Sequence, residues 1–279
     1  MSNPHGSAPE YSGAHDSSDD ELIDAVESVL DEAPDAASAL PIIDHFGEPV
    51  EELVKIPTED NGEPLVDIFQ VCPQLVWAHE SPRWSFPRSG LARVTLANRL
   101  KAAQEMLPEG LHLQIIGAFR TFDIQKQMYE TARGEMRELH PDWDEELLTN
   151  YLNVFSAPPI LETPPPHTTG GAVDLTLIDD QGERLDMVSP FEMGWESAPT
   201  YIEGLSEEAR KNRDLLIEVL TASGLTNFPG EWWHWSYGEP GWALRGGHSA
   251  ALYGAVPENQ IPDWQPPKGN AECRMMNAE

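Results

Sequence analysis

Residues 164–177 read PPPHTTGGAVDLTL, and they place a histidine, two adjacent glycines and an aspartate in one short window. His167 and Asp174 stand seven residues apart, and the run AVDLTLID that carries Asp174 is strand-like, with a turn at Asp180-Gln181-Gly182-Glu183 behind it. The prolines of SAPPILETPPP cannot continue a helix, so His167 enters on a stiffened path. Glycine has no Cβ, tolerates positive φ and permits close backbone approach, so one short turn can aim both side chains at one ion.

A second window, Gly230-Glu231-Trp232-Trp233-His234-Trp235, adds a histidine with a glutamate three residues before it. A catalytic zinc ion takes three protein ligands and keeps a fourth position for water. His167, Asp174 and His234 supply that number without any cysteine. Glu231 then has a role as general base, taking the proton of the activated water and returning it to the leaving amine. Spacing also permits a plainer reading, in which a loop histidine is merely polar and a strand aspartate merely paired. Glu231 and His234 make a geometric demand as well: in a flat strand an odd spacing points them to opposite faces, so a bend or strand end is needed.

Outward from these windows, residues Leu91–Leu107 place apolar side chains at i, i+3, i+4 and i+7, which predicts an amphipathic helix on a core. Leu111–Ile116 reads as a half-buried strand that delivers Gly117-Ala118-Phe119-Arg120 at its end. Thr121–Glu138 predicts a long helix capped by Thr121 or Asp123, and an acidic helix spans Asp142–Val154. Ser206–Ser223 predicts another helix ending before Gly224, and Glu231–Tyr237 an aromatic strand. From Leu40 to Pro87 short apolar runs alternate with Pro and Gly, and beyond Gly238 the chain is again Gly- and Pro-rich. The tryptophans Trp232, Trp233 and Trp235 read as core and packing around the site, with room for one to wall a pocket. Helices early and ligand-bearing strands late predict an α+β fold: a small antiparallel sheet with helices packed on one face and the zinc site at the sheet.

A chain of 279 residues is long enough for a sizeable core. Its formal charge of -31 argues against nucleic acid and anionic membrane as partners, because a phosphate surface would repel it. Only Cys72 and Cys273 are present, which excludes a disulfide framework and a cysteine-based zinc cluster. The absence of a basic, then apolar, N-terminal stretch and of any long apolar run leads us to expect a cytoplasmic protein. Residues 1–40 carry no Lys or Arg and are expected to be a disordered acidic tail, with a possible helix over Ser18–Leu30. The expected organisation is that tail, a catalytic domain over 41–265, and a C-terminal tail over 266–279.

In this sequence the two windows stand as PPHTTGGAVD and EWWH, and they resemble the SxHxxGxAxD and ExWH signatures of the zinc D-Ala-D-Ala dipeptidases, the VanX-like branch of a family that also includes VanY-like carboxypeptidases. The likeness runs from about Ser89 to Tyr237 and includes Gly117-Ala118-Phe119-Arg120, similar to the family's G-Y-R turn. The resemblance implies that His167, Asp174 and His234 are zinc ligands, that Glu231 is the base, and that Arg120 steadies the oxyanion of the tetrahedral intermediate. It also implies, through the stretch Met187–Glu192, that Glu192 holds the substrate's free amino group. Two residues depart from the pattern: Pro165 stands where the family has a serine, and Glu192 is one methylene longer than the family's aspartate. Both positions are where substrate termini would be read.

The expected activity is therefore zinc-dependent hydrolysis of a short D-amino-acid dipeptide, most simply D-Ala-D-Ala, with the small peptide as partner. A carboxypeptidase acting on peptidoglycan peptides of the cell wall and a zinc-stabilised binding module without catalysis remain the alternatives.

Overall fold

The computed structural model describes residues 48–78, 86–191, 193–194 and 196–267. The acidic tail expected over 1–40, the helix within it, and all but the first two residues of the tail expected over 266–279 lie outside the described residues. So does Glu192.

Along the chain the elements are α1 (Val50–Leu53), β1 (Leu65–Asp67), α2 (Ile68–Val71), β2 (Val76–Trp77), β3 (Leu91–Arg93) and α3 (Val94–Met106). They continue with β4 (Leu111–Gly117), α4 (Phe122–Leu139), α5 (Glu145–Phe155), a 3-10 turn at Pro166–Thr169 and β5 (Ala172–Asp179). The last are α6 (Glu207–Ala222), β6 (Thr226–Asn227), β7 (His234–Ser236), α7 (Pro240–Gly246) and a 3-10 turn at Glu258–Gln260.

The helix starts follow side-chain caps. Thr121 Oγ1 accepts from the N–H of Ile124, Asp144 from that of Leu147, and Ser206 from that of Ala209, so each satisfies one of the donors a helix leaves open at its N-terminus. α3 differs from expectation. Its first three periodic residues, Leu91, Ala92 and Arg93, form β3 and pair antiparallel with β1, and the helix begins only at Val94. Arg93 contributes no side-chain cap there. Glu63 does so from a distance, accepting from the N–H and the hydroxyl of Thr95 at 2.9 Å each.

Five strands form the main sheet in the order β2-β4-β5-β7-β6. The pairs β4–β5, β5–β7 and β6–β7 are antiparallel, as expected of a small antiparallel sheet, and the edge pair β2–β4 is parallel. Strand alternation then divides the chemistry. Val173, Leu175 and Leu177 of β5, with Leu113 and Ile115 of β4 and Trp235 of β7, join Leu96 and Leu100 of α3 and Leu216 and Leu220 of α6 in one core. The residues between them on β5 and β7, Asp174, His234 and Ser236, face the other side. The sheet is therefore apolar and helix-covered on one face and carries polar side chains on the other, which is the α+β arrangement expected.

The α4–α5 hairpin stands apart from this core. Tyr129, Ala132 and Met136 of α4 pack with Trp143 and with Leu148, Tyr151, Leu152 and Val154 of α5 in a second cluster. Phe155 touches both cores. None of the described helices is long and apolar enough to cross a membrane.

Candidate active site

Register brings the donors together. Asp174 of β5 lies directly opposite His234 of β7, and on its other side opposite Gly117, where the β4 register shifts between Ile115 and Gly117. Such a bulge bends the strand and re-aims the residues after it. Here it turns Ala118, Phe119 and Arg120 toward the loop of His167: the N–H of Arg120 donates to the carbonyl of His167 at 3.3 Å. The imidazole of His167 answers, with Nδ1 2.6 Å from the carbonyl oxygen of Ala118. A carbonyl only accepts, so Nδ1 carries the proton and Nε2 presents a lone pair to the site.

The 3-10 turn at Pro166–Thr169 is held by glycines with separate tasks. Gly170 adopts φ +71°, and a Cβ there would meet Leu65 at 2.4 Å. Gly171 lies so close to β7 that a Cβ would stand 2.5 Å from the carbonyl oxygen of Tyr237. Arg93, almost wholly buried, fixes the turn from below. Its Nε donates to the carbonyl of Thr169 at 2.8 Å, and its other nitrogens reach Asp60 and the carbonyls of Glu63 and Gly254.

His167 Nε2 lies 3.2 Å from Asp174 Oδ2, His234 Nδ1 lies 3.0 Å from Asp174 Oδ1, and the two imidazole nitrogens are 3.3 Å apart. One donor atom from each of the three residues falls within 4.8 Å of the others, and all three side chains are buried. Two imidazoles and a carboxylate converging on one point form a donor set that suits zinc and other divalent first-row ions. The protonation of His167 at Nδ1 gives the hydrogen-bonded outer support such ligands carry. The residues present thus fit a metal ion.

The electrostatics of the three groups are coupled. Burial pushes the His167 imidazole down to about 4, helped by the positive charge of Arg120. Burial acts to raise Asp174, but the two imidazoles beside it outweigh this and hold the carboxyl well below the usual carboxylate range. Burial opposes protonation of His234 as well, yet its hydrogen bond to Asp174 wins and raises it. Arg120 Nη2 meets Asp174 Oδ2 at 3.2 Å, and its Nη1 donates to Gln125 Oε1 at 3.3 Å, so the guanidinium is fixed at the rim of the donor set.

Glu231 is brought to the same place by a turn. β7 starts only at His234, in contrast to the aromatic strand expected from Glu231, and the strand end supplies the bend that the odd spacing demanded. Its Oε2 lies 3.9 Å from His234 Nδ1. Burial pushes the carboxyl up to about 8, against the pull of the neighbouring His234. A cation among the three donors would draw it back toward the ionised form.

These groups line one cavity of about 190 Å³, with Met128 and Val154 from the α4–α5 hairpin and the prolines 164–166 as apolar wall. That is below the roughly 300–1,000 Å³ of clefts that take drug-sized ligands, and it matches a small substrate. Trp232, Trp233 and Trp235 all belong to the core, and Trp233 also walls the cavity. Arg93, Gln125 and the Ala118 carbonyl were not foreseen from the sequence, because each acts on a residue far along the chain. α7 was also missed in the Gly- and Pro-rich stretch, although Glu239 as N-cap, Pro240 in the first turn and Gly247 at φ +64° are ordinary helix signals.

An α+β fold with metal-capable donors and a buried acid on the open face of its sheet is the architecture of a metallopeptidase. The family profile for D-Ala-D-Ala dipeptidases matches residues 88–249, and the chain belongs to that family. A D-alanyl-D-alanine dipeptidase of Synechocystis is 27% identical over 227 residues, covering 71% of this chain and 91% of the relative. Dipeptidases of the same description from Escherichia coli and Enterococcus faecalis are 38% and 33% identical over 68 and 70 residues, about a quarter of this chain and 35% of each relative.

Proposed function

We propose that this chain hydrolyses D-Ala-D-Ala in a zinc-dependent reaction, with His167, Asp174 and His234 as the ligands. The observation that carries the reading is the convergence of those three donors within 4.8 Å on a cavity that Glu231 and Arg120 also line, in a member of this family.

A bound zinc ion would polarise the scissile carbonyl and lower the pKa of a water toward about 7. In this reading the carboxylate of Glu231 removes one proton from that water as its oxygen bonds to the carbonyl carbon. The same proton passes to the amide nitrogen as the C–N bond breaks, so two molecules of D-alanine leave for one dipeptide and one water. Arg120 holds positive charge where the oxyanion develops; only some of the five N–H donors of its guanidinium are engaged by Asp174 and Gln125. Its rigid fork costs little reorganisation during reaction. Glu192 serves the substrate's ammonium group in this scheme, as the family pattern suggests. Pro165 offers the substrate neither hydroxyl nor N–H.

The test is release of D-alanine from D-Ala-D-Ala by the protein as purified, after chelation, and after zinc is restored. Parallel assays use L-Ala-L-Ala and N-acetyl-D-Ala-D-Ala. Activity on the free D-dipeptide alone, lost with chelator and regained with zinc, is the expected result. A zinc-loaded protein that cleaves no D-dipeptide sinks the reading, and preference for the N-acetylated substrate replaces it with a carboxypeptidase.

A further inference from the structure

Glu48 is one of two acids lining this cavity, with Glu239, that the reaction above does not use. It precedes α1, and one oxygen, Oε1, is clamped by Nη1 of Arg245 from α7. Nη2 of the same arginine donates to Ser236 Oγ at 2.6 Å and to Glu239 Oε1 at 3.1 Å. Ser236 and His234 are two residues apart on β7, so their side chains share a face. The clamp therefore ties Glu48 to the face of β7 that carries His234. Glu48, Arg245, His234 and Glu231 all line the one cavity.

The charges here do not balance. Arg245 serves two carboxylates, and Glu239 is already satisfied by Ser236 Oγ and by the N–H groups of Gly241 and Trp242. Glu48 Oε2 accepts no hydrogen bond from any described residue. It lies over Gly241, where a Cβ would come within 2.6 Å of it, so the bare backbone makes room for this carboxylate. The Glu48 side chain keeps 19% of its surface exposed and lines the cavity. Burial acts to push Glu48 up and Arg245 to pull it down, with a net rise, as for an acid short of positive charge. A partly buried carboxylate with one free oxygen and a net negative surrounding is complementary to a cation.

Given the dipeptidase reading, on which this rests, we infer that Glu48 is a contact for the substrate's ammonium group, beside the role given to Glu192. In a dipeptide that group is one Cα away from the carbonyl to be cut, so its partner must lie within a residue's reach of the three donors. Glu48 meets the donors' cavity through the Arg245 clamp on Ser236, two residues along β7 from His234. The ammonium would occupy the free oxygen while Arg245 keeps the other. An acylated amine would leave that oxygen buried without a partner, which turns one clamp into a filter for free dipeptides.

The test uses the zinc-loaded full chain and two ligands that differ only by the ammonium: D-Ala-D-Ala and propionyl-D-alanine, the first as substrate and the second as competitive inhibitor. Glu48→Gln is expected to raise KM for the dipeptide about tenfold, the scale of one hydrogen bond to a charged group. Its kcat should stay within about threefold, and the inhibition constant of propionyl-D-alanine should not change. Glu48→Asp keeps the charge and the Arg245 pair but draws the carboxylate back; it should raise KM without moving that constant, and it serves if Glu48→Gln does not fold. An unchanged KM overturns the inference, as does a KM and an inhibition constant that rise together, the mark of a purely structural clamp. Failure of the dipeptidase reading shows separately, as a wild-type protein without turnover. Calorimetric binding of the two ligands then takes the place of KM.

Discussion

The backbone N–H of His234 donates to the carbonyl of Glu231 across 3.2 Å, and this turn is what sets Glu231 Oε2 3.9 Å from His234 Nδ1. Asn227 Nδ2 donates to the carbonyls of both residues at 3.0 Å and holds the same turn, so the Glu231 carboxyl is not needed to hold it. Replacement by glutamine keeps the shape and removes the basicity. Glu231→Gln should lower kcat for D-Ala-D-Ala by about 10²–10⁴-fold while zinc content, measured by atomic absorption, stays at the wild-type level. An unchanged kcat at full zinc content removes Glu231 from the mechanism.

The donor set should also show in stability. Three buried groups that repel or compete for protons when alone become a single binding site when a cation joins them, and binding to the folded state stabilises it. Free zinc at 100 times its dissociation constant should add about 2.7 kcal/mol, visible as a rise in Tm on titration. His167→Ala should abolish that rise. An equal rise in the variant places the metal elsewhere.

Gly171 and Gly134 offer a matched pair of substitutions. An added methyl at Gly171 meets the Tyr237 carbonyl oxygen at 2.5 Å, while Gly134, inside α4, has nothing within 4 Å. Gly171→Ala should cost about 1–3 kcal/mol in urea denaturation and weaken zinc retention. Gly134→Ala should add about 0.4–1 kcal/mol and leave zinc untouched. Equal effects at the two sites contradict the close approach of the His167 turn to β7.

Acid should loosen the start of α3. Burial acts to raise Glu63, but hydrogen bonds from the Thr95 N–H and hydroxyl and from Tyr253 outweigh it and hold the carboxyl below its ordinary 4.5. A depressed folded value favours the ionised state, so this stabilisation is fully present above pH 4.5 and is lost as pH falls through the folded value. The difference in unfolding free energy between wild type and Glu63→Gln should be constant near neutrality and shrink below pH 4.5. A difference that grows on acidification reverses the assignment.

Local signals carried far in this chain. The hydroxyls of Thr121 and Ser206 cap the helices they precede, and His167, Asp174 and His234, expected from the sequence as donors to one ion, offer atoms within 4.8 Å of one another. The features that could not be read locally depend on distant partners. Leu91–Arg93 continue the apolar period of α3, yet they pair with β1, a partner that no local pattern around them names. The bulge after Ile115, the Ala118 carbonyl on His167 and the grip of Arg93 on Thr169 exist only once β4, β5 and the turn are assembled. Glu48 and Arg245 lie almost 200 positions apart, and neither residue type announces the other.

The aromatic cluster of the α4–α5 hairpin gives one wall of the cavity a core of its own. Trp143, Tyr151 and Met136 pack among themselves, and Phe155 is the shared contact with the sheet's core. Met128 and Val154 bring this cluster to the cavity, Met128 with its Sδ 3.8 Å from Arg120 Nη1. The wall that shapes the cavity and the strands that carry the donors thus belong to two packed clusters, joined at Phe155 and at the Gln125–Arg120 hydrogen bond.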